Sequence, residues 1–259
     1  MPRVRLICGL LAMVVSACGG DRTGATGELG RINYSLYTTY DVREASLVDA
    51  RIVTGHEQTI YATLTSKGIA DLRDGVSLEH TIEPSDGATL ETIVDEAPVP
   101  DFNVLVREPG EYTLKTLRGE DGEEEFDRLT LTFAEPTSFE VLTKVREPWA
   151  EDFREASTDG TIDVEEGTQV VMQPIPVDAD DTRLAGDLTT DFSVNKEWAA
   201  IPGQNILSAF EENVWTIAGE ANFYFVEPDD SVVFTIEDPV STASTQKTFK
   251  VTPISGAPE

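Results

Sequence analysis

Cys18, His56, His80 and the acidic run Asp178, Asp180, Asp181 and Asp187 are the groups of this chain whose types and spacing could do chemistry. A serine or cysteine nucleophile needs a base beside it. The chain has two histidines, both in its first half, and no G-x-S-x-G turn. His80 alternates with Leu78 and Ile82 in "LEHTI" and reads as a partly buried, hydrogen-bonded side chain, whereas His56 in "TGHEQ" reads as exposed. Neither paired cysteines nor H-E-x-x-H occurs, so zinc has no ligand set. Glycoside hydrolysis needs only two carboxylates, and with 48 acids some pair always lies at a suitable distance. The run "VDADDTRLAGD" carries oxygen ligands of the kind calcium takes, but no glycine falls at the sixth position and no glutamate closes the loop. It reads as a solvated acidic loop. The expectation is therefore a protein that is not an enzyme, with no cofactor and no bound metal.

Cys18 is different, because its surroundings are specific. Arg3 and Arg5 precede an apolar run from Leu6 to Val15, the charged and apolar regions of an export signal. That run is well short of the roughly 20 apolar residues that span a bilayer. It ends in Val15-Ser16-Ala17-Cys18, which resembles the lipobox of bacterial lipoproteins: an aliphatic residue, two small residues, and a cysteine whose thiolate takes up diacylglycerol. The resemblance covers residues 1–18. It implies a signal peptide over 1–17 and a lipid anchor on Cys18. With Gly19 following the cysteine, it also implies the outer membrane of a Gram-negative bacterium. Cys8 would leave with the signal, so no disulfide forms in the folded part.

Loss of residues 1–17 takes the formal charge from −29 to −31. Residues 30–136 hold 9 basic and 22 acidic residues, and 137–259 hold 7 and 24, so the acid is spread along the chain. Such a field repels nucleic acid and excludes it as a partner. At 40% hydrophobic residues, the chain carries enough apolar surface to fold.

The elements that would position these groups are short strands. Ile60, Ala62 and Leu64 alternate onto one face, as do Val76, Leu78, His80 and Ile82, and then Phe102, Val104 and Val106. "PGEYTLKTL" and "RLTLTF" flank an acidic, glycine-containing turn and read as a hairpin, with Tyr112, Leu114 and Thr116 facing Leu129, Leu131 and Phe133. "PGEYTL" resembles the penultimate strand of immunoglobulin-like domains, which implies a buried Tyr112 ring with its hydroxyl bonded back to the main chain. A degenerate repeat runs through the chain: "VEP" precedes "SVVFTI" near its end as "VREP" precedes "YTLKTL", with Ser231 in place of the tyrosine.

The expected fold is all-β, two tandem immunoglobulin-like β-sandwich domains at 30–136 and 137–256, behind a lipidated cysteine and flexible tether at 18–29 that reaches at most about 40 Å. Short helices are expected in "PWAEDFREAS" and after Asn205. The expected function is that of a membrane-anchored envelope lipoprotein, a non-catalytic binding or scaffolding module with an envelope protein or a glycan as partner. Of the three tryptophans, Trp215 alternates with Ile217 and reads as core, while Trp198 is the candidate contact to a partner or glycan.

Overall fold

The computed structural model describes residues 22–38, 46–72, 77–93, 98–119, 124–156, 160–196, 200–202 and 214–254. The first half contains β1 (Arg22–Thr26), β2 (Ile32–Tyr37), β3 (Arg51–Val53), β4 (Glu57–Leu64), a six-residue helix α1 (Ser66–Asp71), β5 (Leu78–Glu83), β6 (Ala88–Thr92), β7 (Phe102–Val106), β8 (Gly110–Arg118) and β9 (Glu124–Ala134). Two sheets form, in the orders β1-β2-β4-β7-β6 and β3-β9-β8-β5. The expected alternation holds wherever it is described. Ile60, Ala62, Leu78, Phe102, Val104, Val106, Leu114, Leu129, Leu131 and Phe133 all point into the space between the sheets.

The second half begins three residues after β9. It contains β10 (Ser138–Arg146), β11 (Arg154–Glu155), β12 (Thr161–Glu165), β13 (Gln169–Val177), β14 (Leu184–Ala185), β15 (Thr189–Val194), β16 (Ala200–Pro202), β17 (Val214–Ala218), β18 (Ala221–Phe225), β19 (Asp229–Glu237) and β20 (Ser244–Thr252). Its sheets run β11-β10-β13-β18-β16 and β12-β20-β19-β15-β17. The two halves repeat one topology. The order β2-β4-β7-β6 returns as β10-β13-β18-β16, and β3-β9-β8-β5 returns as β12-β20-β19-β15. Even the parallel pairing of β3 with the last strand β9 is repeated by β12 with β20. This is the tandem immunoglobulin-like sandwich.

Each half has its own apolar core. Tyr34, Phe102, Phe126 and Phe133 fill the first. Phe192, Phe223, Phe225, Phe234 and Phe249 fill the second, with Trp215 against Phe223 at 5.3 Å between ring centres. Trp215 is thus core, as its alternation implies. Tyr112 sits at the start of β8, 4% exposed, and its hydroxyl donates to the Glu108 carbonyl at 3.1 Å. The turn before β8 is pinned by that bond, as the resemblance implies.

Two local expectations are overturned. Residues 22–26, expected in a flexible tether, form β1, which pairs antiparallel with β2 from Arg22↔Tyr37 to Thr26↔Asn33. Small polar residues make a poor amphipathic pattern, but an edge strand is held by its neighbour's main chain, and Gly24 admits Tyr34 O at close range. "PWAEDFREAS" is not helical: its described part turns at Trp149 and ends in β11, the edge strand beside β10. Trp149 is left exposed, and the Arg146 guanidinium lies 4.9 Å over the Phe153 ring.

Candidate functional site

Cys18 and Trp198 lie outside the described residues, as does the helix expected after Asn205. The groups that the fold does bring together stand elsewhere, at the junction between the sandwiches.

β14 leaves the second half and adds to the first half's sheet, parallel to β3, with Leu184 opposite Arg51 and Ala185 opposite Ile52. Apolar side chains follow the strands across. Val53 packs into the second core and Ala185 into the first. Around this two-strand splice lie three polar links.

The first is Arg51, which is paired with Asp178 and with Asp180, the latter at 3.0 Å. The loop expected to be solvated is thus a structured turn. Asp178 is buried and accepts from the N–H groups of Asp180 and Thr182 at 2.9 and 3.0 Å, while Asp181 adopts a left-handed φ of 59°. Burial alone would raise the Asp178 carboxyl; the two N–H bonds and Arg51 outweigh it and hold it below the usual carboxylate range.

The second is Gln58, wholly buried on β4. Its Oε1 accepts from the Asp187 N–H at 2.6 Å and its Nε2 donates to the Asp187 carbonyl at 3.0 Å. Gly186 is required there: its φ is +124°, and a Cβ would stand 2.4 Å from the Gln58 oxygen. Gln58→Ala is expected to cost about 2 kcal/mol, because it strips the partners from the part-buried Asp187 N–H and carbonyl, which belong to two successive peptide groups. Urea unfolding checks this, and a loss below about 0.5 kcal/mol would show that water replaces the amide without cost.

The third link is His56, which is buried and not exposed. Its Nε2 donates to Asp238 Oδ1 at 2.9 Å, from the loop between β19 and β20. Val240 N–H also reaches Oδ1, at 3.0 Å, and the Asp238 side chain is fully enclosed. Burial pushes this carboxyl up, but the bonds from His56 and the Val240 N–H, with the Ser241 hydroxyl close by, bring it below its ordinary range. Its contribution is therefore present above about pH 4 and lost as pH falls through the depressed value. Asp187, in the same junction, moves the other way, raised by burial.

Both histidines have partners within the fold. His56 is committed to a carboxylate. His80 accepts at Nδ1 from Thr116, with both residues buried and closed to a substrate. Among the described residues, no group of three or more His, Cys, Asp or Glu is placed to hold a metal ion. No helix among them is long and apolar enough to cross a membrane. The signal for the junction was absent from local sequence, because its partners are 127 to 182 residues apart.

No family model matches the chain, and no curated protein matches it. Among solved structures it is similar to FdeC, an Escherichia coli adhesin, at 11% identity and a TM-score of 0.31, over 86% of this chain and 74% of that one. It is also similar to domains 5–6 of the S-layer protein SbsC, at 12% identity and a TM-score of 0.31, over 90% and 100%. The D00–D0 domains of intimin align at 12% identity and a TM-score of 0.26, over 79% and 97%. At these scores no residue, partner or activity passes from them to this chain.

Proposed function

We propose that this chain is an exported lipoprotein, anchored through acylated Cys18 at the outer membrane, whose two sandwich domains divide at 133–138 and serve as a non-catalytic envelope module for binding or scaffolding. The observation that supports it best is the junction. A strand splice, exchanged core residues and three polar links around a three-residue connection hold two sandwiches in one relative orientation. An inter-domain arrangement built this way suits a spacer that presents surfaces at a fixed separation, and chemistry requires none of it.

The test is the native size of the protein after mild extraction from its host's membranes and crosslinking in situ. A species far above the monomer, whose full chain before processing is 28.3 kDa, is expected, with the partner identified by mass spectrometry. A lone monomer at every crosslinker concentration overturns the scaffold reading. For the anchor, Cys18→Ser is expected to leave an uncleaved or soluble form that no longer enters the detergent phase. A variant that fractionates like the wild type overturns it.

A further inference from the structure

We propose that the anchored protein lies with both sandwiches along the bilayer, held at its waist, so that the membrane contact is the β1 side of the domain junction and not an end of the molecule. This rests on the Cys18 anchor proposed above. The new part comes from where the chain enters the fold.

β1 starts opposite Tyr37 at the end of β2 and runs toward the turn at 27–31. In the neighbouring pair, Leu36 faces Ile60, so Arg22 stands one step further on, level with the beginning of β4. That beginning is the junction. Gln58 and His56 there contact Asp187 and Asp238 of the second half, and the Gly55 N–H bonds the Val106 carbonyl beside them. β1 therefore enters at the junction and runs away from it. The Leu47 N–H bonds the Gly24 carbonyl at 3.4 Å, tying β1 to the segment that leads into β3, the strand carrying the β14 splice.

From Cys18 to Arg22 the main chain spans four residues, at most about 14 Å. On either side of the waist a sandwich extends much further. At about 3.4 Å per residue, the eleven residues of β9 cover about 37 Å and the nine of β20 about 31 Å. The strand splice and the polar links of the junction join the two sandwiches at their near ends. Even with that tether fully extended, an upright molecule anchored at the waist would have to drive the far end of one strongly acidic sandwich roughly 17–23 Å below the anchor, into hydrocarbon. Neither end can do that, so the long axis lies close to the membrane plane.

The experiment uses the acylated full chain in phosphatidylcholine vesicles that carry an energy acceptor on their headgroups. The anchored form has no free thiol, so one introduced cysteine takes the donor label: Ser66→Cys at the far end of the first sandwich, or Glu227→Cys at the far end of the second. Both sites are exposed, each at the end of its sandwich away from the junction. The expected result is strong transfer from both labels, within twofold of each other. A second variant, with twenty Gly/Ser residues inserted after Gly20, adds roughly 25 Å of reach outside the fold and is expected to lower transfer from both. Strong transfer from one label and none from the other overturns the orientation while the anchor stands, as does transfer unaffected by the insertion. Failure of the acylated chain to bind vesicles overturns the anchor, and the orientation with it.

Discussion

Asp127→Ala is expected to destabilise the first sandwich by about 3–5 kcal/mol, the largest effect of any single substitution considered. Asp127 is fully buried on β9, and its carboxylate closes the turn between β1 and β2. Oδ1 accepts from the N–H groups of Leu29 and Arg128 at 2.9 Å, and Oδ2 from those of Arg31 and Ile32 at 2.7 Å. Four main-chain donors converge on one carboxylate and lose this acceptor together when it is gone. Gly27 completes the nest, since a Cβ there would stand 2.5 Å from the carboxyl carbon. Gly27→Ala is accordingly expected to be costly alone and nearly free once Asp127 is alanine, a coupling that a double-mutant cycle in urea measures directly. Additive costs would show that the glycine and the carboxylate act separately. A loss under 1 kcal/mol for Asp127→Ala would show that water reaches the turn.

Acid is expected to weaken the same sandwich through His80. The Tyr34 hydroxyl is 2.7 Å from Thr116 Oγ1, Thr116 is 2.9 Å from His80 Nδ1, and His80 Nε2 donates to the Pro100 carbonyl at 3.0 Å. Because a carbonyl only accepts, the proton of the neutral ring sits on Nε2 and Nδ1 must accept. A second proton on Nδ1 would face the Thr116 hydroxyl and force the chain of donors to reverse. Burial lowers the His80 pKa from 6.5 to about 4. The unfolded chain thus binds its proton near pH 6.5 and the folded chain only near pH 4. Stability is whole above pH 6.5 and falls as pH drops toward 4, by about 3 kcal/mol for this one group. His80→Gln keeps a hydrogen-bonding side chain and does not titrate. Its urea midpoint, followed from pH 7 to 4.5, should lose most of the slope seen in the wild type. Equal slopes in the two proteins would assign the acid sensitivity to other groups.

The strands were legible from the residues themselves because alternation is a local property. A half-buried strand points every second side chain inward, so Ile60 and Ala62, or Leu129, Leu131 and Phe133, declare a face without knowledge of their partners. The Tyr112 corner was legible for the same reason, since its acceptor is only four residues upstream. β1 was not, because its stability comes from the main chain of β2 and leaves little trace in side-chain pattern. "PWAEDFREAS" reads as a short helix from local sequence, yet the sheet edge at β10 draws its later residues into β11.

The junction divides the two kinds of information most sharply. Composition and alternation by themselves determined an acidic, all-β chain of repeated sandwiches. Only the tertiary structure decided that His56 is buried, that Asp178 answers Arg51, and that Asp187 is held by Gln58. These pairs join segments more than a hundred residues apart, and their strength comes from water excluded by packing, which no local pattern encodes.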